Sequence, residues 1–462
     1  MSDLTKALQN IRAFVLRHEK HEDAKIIIRD IDNIEEAIRN KPQGLVFERH
    51  KEPIEDLLLE NTPVLSEDVG LMLDNGGEEN WIIEGDNLAC LNLLEKTHKG
   101  TIDLIYIDPP YNTGSSDMIY NNNYSCKKDS FKHSRWLSMM ESRLLVAKRL
   151  LSRRGVVICA IDENESAPLR LLLEDVFGDS YTYTCITIVH NPRGIQGKDF
   201  SCTNEFAYFV IPKSEKIVCR RVLPEDEIKW NPLRNWGGES LRSNAKNCFY
   251  PIIIQHDQII GFGDVSPDDK HPSRNEILSD GSVAVYPIDR NGVERKWRYA
   301  RQSVESIRDH LKVKRTGDKY DIYFGNPYGS YKTVWQSPKY DANTYGTKLL
   351  RSLLPGCSFD FPKSLWTVYD CISAIVANNK DATVLDFFAG SGTTGHAVMQ
   401  LNQDDGGNRK FILCNNNENN ICRDVTYERI KRVIAKEDYK ASLKYFKVDY
   451  LPRADHKKIS AK

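Results

Sequence analysis

Apolar residues recur along this chain in two different periods. Leu4, Leu8, Ile11 and Val15 stand at i, i+4, i+7 and i+11, and Ile27, Ile31, Ile34 and Ile38 repeat that spacing, so each set lines one face of an amphipathic helix. Pro42 and Gly44 stop the second helix. With HEKHED between them, the two read as a helical hairpin that either packs on its own domain or offers a face to a partner. From residue 81 the pattern becomes strand, helix, strand. WIIEGDN is a short strand ending at Gly85-Asp86, and Leu88, Leu91 and Leu94 mark the helix after it. TIDLIYID is a continuous apolar run, the kind a parallel strand buried on both faces requires. A helix is predicted around Trp136–Leu151, a buried strand VVICAID after Gly155, a helix at Leu169–Phe177, and two more strands in TYTCITIVH and EFAYFVIP. Further on, ATVLDFFAGSGTTGHAVMQL reads as strand, glycine turn and helix, KFILCNNNEN as strand and turn, and Thr426–Ala435 as a last helix. Strands that alternate with helices imply an α/β doubly wound sheet.

Between about residues 213 and 355 this alternation stops. Apolar runs shorten, and turn residues and aromatics multiply, as in NPLRNWGGES and GNPYGSYKTVW. That interval holds 24 Lys+Arg against 18 Asp+Glu, and Arg290–Arg315 alone holds 9 against 3, together with Trp297 and Tyr299. Such a stretch is either a solvated basic face or a phosphate-gripping patch with stacking aromatics. The first 80 residues are acidic, 10 Lys+Arg against 18 Asp+Glu, so the chain's net charge of −1 conceals a basic body.

With 462 residues, the chain is long enough for two to four domains. No apolar run approaches the roughly 20 residues of a membrane span, and MSDLTKALQN has no apolar signal core, so a cytoplasmic protein without membrane contact is expected. The eleven cysteines form no CxxC pair and no zinc spacing with histidine. They read as reduced thiols, and no metal site is expected.

Two motifs carry chemistry. In DFFAGSGTTG, Asp386 ends a buried strand, Gly390 and Gly392 make a tight turn, and Thr393 opens a helix whose free N–H groups face any ligand. Gly390, Gly392 and Gly395 spell GxGxxG, which permits a dinucleotide, but no acid follows at about 20 residues; Glu418 lies 28 after Gly390. No GKS or GKT follows, so a P-loop is excluded. An Asp before the turn suits a cofactor with a carboxylate, an amine and a ribose but no phosphates, and S-adenosylmethionine fits that description. The second motif, DPPYNTG at Asp108–Gly114, ends a buried parallel strand, where open α/β sheets bind ligands. Its prolines fix the backbone so that the Asp108 side chain and the Pro109 carbonyl, both acceptors, converge. They can hold an exocyclic amine while Tyr111 offers a flat face to a base. GNPYGS at Gly325–Ser330 lacks the second proline and the apolar strand and reads as a loop.

TIDLIYIDPPYNTG followed far downstream by DFFAGSGTTGHAV resembles the amino-directed DNA methyltransferases, in the β arrangement of the adenine class. The likeness is greatest to the modification (Mod) subunits of Type III restriction–modification systems and their solitary relatives. It extends over about 81–211 and 333–436, through WIIEGDN, HSRWLSMMESRLLVAKRLL, GVVICAIDENE, GTKLLRSLLP and FDFPKSLW. The resemblance implies a doubly wound, mostly parallel, Rossmann-like methyltransferase sheet, circularly permuted. Its parts would be an N-terminal helical segment (1–80), a catalytic half (81–212), an inserted target-recognition domain (213–355) and a cofactor-binding half (356–462). The glycine-turn strand would then neighbour the strand carrying DPPY.

The resemblance also implies roles. Asp108, Pro109, Pro110 and Tyr111 would be catalytic, with Tyr111 stacking on a flipped-out adenine through its ring rather than its hydroxyl. Asp386, Phe388, Gly390, Gly392 and Thr393 would form the S-adenosylmethionine turn. Asp86 would sit at the cofactor's adenine ring, and Lys363, in Phe359-Asp360-Phe361-Pro362-Lys363, near its methionine carboxylate. Where relatives usually have an acid or Gln for the ribose hydroxyls this chain has Asn415, with Glu418 three residues later; it also reads FPKS where FPKP is common. Apart from the resemblance, the charge density of Arg290–Arg315 makes Arg295, Lys296 and Arg298 the candidates for gripping DNA phosphates, unless that face is merely solvated. Double-stranded DNA is the expected partner, with a homodimer and a restriction subunit as further ones. Alternatives are a cytosine-amino methyltransferase, an NAD oxidoreductase, which leaves DPPY unexplained, and a silent DNA-binding subunit, which intact DPPY argues against.

Overall fold

The computed structural model describes residues 3–18, 27–32, 45–113, 130–194, 200–213 and 215–453. The chain divides into two compact units, one made of Met1–Cys219 with Lys332–Lys462 and the other of Arg220–Tyr331. The second is narrower than the 213–355 interval read from the sequence. Val334–Trp335 adds a short parallel strand to Tyr181–Val189, and Tyr340 hydrogen-bonds Asp370, so residues beyond 331 belong to the first unit.

The first unit is built on a sheet of ten strands among the described residues: β1 (Asn61–Glu67), β2 (Glu78–Glu84), β3 (Ile102–Ile107), β4 (Leu151–Ile161), β5 (Tyr181–Val189), β6 (Asn204–Pro212), β7 (Val334–Trp335), β8 (Thr383–Asp386), β9 (Lys410–Asn415) and β10 (Ala441–Pro452). Their order across the sheet is β1-β10-β2-β9-β8-β3-β4-β6-β5-β7. From β10 to β4 every pairing is parallel; β1 and β6 run antiparallel to their neighbours. Continuous apolar sequence explains the centre: Leu104, Ile105, Tyr106 and Ile107 are all buried, which requires cover on both faces. Helices α3 (Asn87–His98), α4 (Lys132–Leu150) and α5 (Ser166–Phe177) pack in one row, and α6 (Leu365–Val376), α7 (Thr393–Asp405) and α8 (Glu428–Glu437) in another.

The chain winds from β8 toward β9 on one side and from β3 toward β4 on the other. Strand order therefore reverses between β8 and β3, and the crevice at their carboxyl ends is where such sheets take ligands. Both sequence motifs end there.

Three expectations need correction. The segment 1–80 is not wholly helical: after α1 (Asp3–His18) and α2 (Pro53–Glu60), β1 joins the sheet through antiparallel pairing with β10. Neither strand was read from the pattern, although Ala441, Leu443 and Tyr445 alternate inward. Of the hairpin, Leu8, Val15 and Ile31 are buried and Arg12 ion-pairs Asp32, while Ile11 and Ile27 are exposed; Ile34, Ile38 and residues 19–26 of the connection lie outside the described residues. Finally, β4 begins at Leu151, ahead of Gly155. A bulge between Ile102 and Leu104 brings Gly155 so close that a Cβ would lie 2.8 Å from the Ile102 carbonyl oxygen.

The second unit is made of small antiparallel sheets around Leu233, Tyr250, Ile252, Ile254, Val285, Trp297, Val304 and Ile322. It corrects the reading of Arg290–Arg315 as one phosphate-gripping patch. Trp297 is wholly buried and donates its indole N–H to the Tyr250 carbonyl. Arg295 is bonded to Asp289, whose side chain is buried, and to the Ser240 hydroxyl. Arg301 and Arg308 donate to the carbonyls of Gly263, Phe262 and Ile259. Carbonyls on the edge strand Gln258–Phe262 and just past its end lack ladder partners, and the guanidinium fork supplies them. Arg298 is exposed and Lys296 half-buried. Within the same stretch, exposed basic side chains beside aromatic rings lie at its end, on Leu311–Thr316, where Lys312, Lys314 and Arg315 lie 4.3, 5.1 and 5.5 Å from the rings of Trp230, Tyr323 and Tyr320. GNPYGS falls in this unit, at the end of the Lys319–Gly325 strand and in a two-residue strand.

Candidate active site

At the end of β8 the Asp386 carboxylate turns the chain. One oxygen accepts the Phe388 amide at 2.9 Å, and the other accepts the Thr394 hydroxyl at 2.6 Å. Burial raises its pKa to about 7. Gly390 (φ +48°) and Gly392 (φ +76°) are left-handed, a conformation that strains other residues. A Cβ on Gly395 would meet Ile430 of α8 at 2.9 Å, so the third glycine of the triplet serves helix packing. Thr393 and Asn415 face inward. Arg429 donates to the Thr393 hydroxyl at 2.8 Å, and the Asn415 amide donates to the Gly390 carbonyl at 3.2 Å and to the Thr426 hydroxyl at 3.0 Å. Both brace the turn.

The second motif follows β3. Trp136 donates its indole N–H to the Pro110 carbonyl at 2.7 Å. Asn112, left-handed at φ 56°, is buried and donates to Glu165, which also accepts from His133 at 2.7 Å. Thus a bulky indole and a buried carboxylate anchor the turn on either side of Tyr111; Gly114 lies outside the described residues.

Asp108 and Tyr111 share a cluster that the sequence reading missed in part. Lys363 Nζ hydrogen-bonds the Tyr111 hydroxyl and Glu205 and lies 3.3 Å from Asp108. The Tyr111 hydroxyl in turn donates to Glu205 at 3.1 Å. Glu205, in the NEFAYFVIP strand, is 4% exposed at its side chain. Burial pushes its carboxyl up, but Lys363 and His190 hold it below its usual range. Burial raises the Asp108 carboxyl, Lys363 opposes that, and Glu205 adds to it. Burial disfavours the Lys363 ammonium, yet Asp108 and Glu205 outweigh it and keep its pKa above the ordinary value. A charged residue inside an otherwise apolar β-strand run was the available signal for Glu205.

Between the two motifs lies a partly open cleft bordered by Asp86, Asn87, Pro110, Met139, Arg143, Phe387, Phe388, Asn415, Asn416 and Glu418. The structure therefore brings Asp86, Pro110, Phe388, Asn415 and Glu418 to one cleft. Lys363 is not on its lining, contrary to the expectation that placed it at the cofactor, because its ammonium is drawn to two carboxylates. Asp86 caps α3 by accepting the Leu88 amide at 2.8 Å. Arg143, which sequence reasoning passed over, is buried against Glu52 at 2.5 Å and lies 3.8 Å from Asp86.

A glycine turn and a DPPY turn on adjacent parallel strands, with an acid-lined cleft between, define a group-transfer enzyme of the doubly wound class. The chain belongs to the DNA methylase family (N6_N4_Mtase), whose model matches residues 102–425. Among curated relatives it is 29% identical to the Type II methyltransferase M.KpnI of Klebsiella pneumoniae, over 81% of this chain and 89% of that one. It is also 29% identical to the EcoPI Mod subunit of a Type III restriction-modification enzyme from Escherichia phage P1, over 75% of this chain but 58% of that one. The StyLTI Mod subunit of Salmonella typhimurium gives 29% over 79% and 58%. The chain thus spans little more than half the length of these Mod subunits. Solved structures that superpose include the M1.HpyAVI–SAM complex (TM-score 0.35, 13% identity, 76% of this chain and 98% of that one) and the cytosine-N4-specific PvuII DNA methyltransferase (TM-score 0.37, 11% identity, 80% and 98%). Scores this low establish no correspondence between residues.

Proposed function

We propose that this DNA methylase transfers a methyl group from S-adenosylmethionine to the 6-amino group of an adenine flipped out of duplex DNA. The reading is carried by one observation: Asp108 and the acid-bordered cleft stand at the carboxyl ends of neighbouring strands β3 and β8. The cleft fits the cofactor. Asp86 and Glu418 are acceptors for an amine and for hydroxyls and would repel a pyrophosphate; the one guanidinium there, Arg143, is paired with Glu52. These residues, with Phe388 against the ring and the backbone of Gly390–Gly392 behind it, would hold S-adenosylmethionine. When bound, it supplies a methyl group already activated by a sulfonium. The chain's own work is then to orient the amine. Asp108 and the Pro109 carbonyl accept its N–H groups, so the nitrogen lone pair points into the cleft, and Tyr111 stacks on the base. Little proton transfer is needed, so rate comes from positioning and fixed electrostatics.

The Mod relatives favour adenine, the same base that the NTG after DPPY suggests. Under this reading Arg220–Tyr331 chooses the DNA sequence, and a restriction subunit and a second copy of the chain are its partners. Sequencing of modified bases in host DNA, with and without the gene, tests base and site together. N4-methylcytosine at a motif in place of N6-methyladenine would move the protein to the cytosine reading; no gene-dependent mark would refute the function.

A further inference from the structure

We propose that Lys363 and Glu205 are positioning residues for the amine-binding end of the site, Lys363 keeping Asp108 ionised and Glu205 fixing the Tyr111 ring through its hydroxyl. This rests on the methyltransferase reading above and departs from the cofactor-carboxylate role that the sequence motif gives Lys363.

The argument is one of donors. An ammonium has three N–H groups. Around Lys363 stand three oxygens: the Glu205 carboxylate, the Tyr111 hydroxyl and Asp108 Oδ1 at 3.3 Å. All three belong to the DPPY side, and no N–H remains for a cofactor carboxylate. The lysine is 11% exposed and is absent from the lining of the cleft. Two carboxylates in one buried place repel, and only a cation between them lets both stay charged. An ionised Asp108 is acceptor-only and holds an amine more strongly than its protonated form, which would turn an O–H donor toward it. Tyr111 is held at both ends, by the DPPY backbone and by the 3.1 Å bond from its hydroxyl to Glu205. A base stacking on that ring meets a fixed plane.

The groups that act on Asp108 come from every side: Lys363 before α6, Glu205 on β6, Tyr111, Tyr106 on β3, Cys159 on β4 and Asp386 at the end of β8. His190 and Cys371 act on Glu205, and Asp162 faces Lys363. Of these, Lys363 is the cation that contacts Asp108, so its loss and the loss of Glu205 have opposite signs. Without Lys363 the Asp108 carboxyl faces Glu205 unshielded and binds its proton at higher pH. Without the Glu205 charge it loses a repulsive neighbour and keeps its cation.

The test is single-turnover methyl transfer to duplex DNA against pH, with S-adenosylmethionine affinity measured by calorimetry on the same full-length proteins. Lys363→Met should move the acid limb of the rate profile up by a pH unit or more, which is about tenfold slower transfer on that limb, with cofactor affinity within threefold of the wild type. Lys363→Arg should restore the limb. Glu205→Gln should move it the other way and lower the plateau. If Lys363→Met instead weakens cofactor binding tenfold or more and leaves the limb in place, the motif's role is right and the inference wrong. Limbs that move together in both variants, or an arginine that fails to restore a folded protein's profile, also overturn it. If Lys363→Met does not fold, as judged by circular dichroism, an unmoved limb in the arginine variant together with a lowered limb in the glutamine variant supports the inference, and a limb raised in either overturns it. A wild type that methylates no DNA would refute the methyltransferase reading itself, and is scored first.

Discussion

Replacing Tyr111 separates its ring from its hydroxyl. From sequence, only the ring should matter. In the structure the hydroxyl donates to the buried Glu205 at 3.1 Å and accepts from Lys363. A hydrogen bond to a charged group is worth about 1.5–3 kcal/mol. If the ring must be held in place when the amine attacks, Tyr111→Phe should slow methyl transfer about 10- to 100-fold at 1.36 kcal/mol per decade. Tyr111→Ala loses the stack as well, about 1–3 kcal/mol for the base, or roughly a further 5- to 100-fold. Cofactor affinity should barely change, because Tyr111 does not border the cleft. The assay is single-turnover incorporation of labelled methyl groups into a duplex carrying the modified site, with calorimetry of S-adenosylmethionine alongside. A phenylalanine variant as fast as the wild type would mean that the hydroxyl bonds do not position the ring. A phenylalanine variant as slow as alanine would mean that stacking adds nothing.

Asp108→Ala should lower transfer by about 10²–10³, the cost of one charged acceptor in a closed site, with cofactor affinity within a few-fold; loss of cofactor binding in calorimetry would make Asp108 structural. Arg295→Glu should lower the melting temperature, since it sets an acid against the buried Asp289, at a cost below the roughly 3–5 kcal/mol of a fully buried pair because Arg295 is partly exposed. A folded variant that instead flattens the salt dependence of DNA affinity would restore the phosphate role expected from sequence. Asp386, at about 7 in the fold, holds its proton more tightly than in the unfolded chain, so its contribution to stability is complete below about 4 and lost as pH rises to 7. Asp386→Asn can keep both turn bonds, accepting from Phe388 and donating to Thr394. The urea-midpoint difference, wild type minus variant, should therefore fall between pH 4.5 and 7.5, and a difference constant with pH would exclude the raised pKa.

Continuous apolar runs such as TIDLIYID and TVLDFF can be satisfied only as parallel strands covered on both faces, so the doubly wound sheet and the adjacency of its two motifs were legible in the residues. So were the turns, since Gly390 and Gly392 sit where φ is positive. The edge strand β1 and its neighbour β10 were not, because a half-exposed strand depends on its partner and these two partners lie nearly 400 residues apart. The basic stretch at Arg290–Arg315 shows the limit from the other side. Charge composition says how many cations there are, while the tertiary structure decides that Arg295 answers a buried aspartate and Arg301 answers backbone carbonyls. Glu205 and Lys363 are 158 residues apart. Their meeting at Tyr111 follows from how β6, one strand removed from β3 across β4, and the segment before α6 converge beside the end of β3, and a local pattern carries no record of it. What sequence fixes here is local geometry and burial; which charge neutralises which is settled only when distant strands close on one another, because a buried charge takes whatever opposite charge the packing brings within reach.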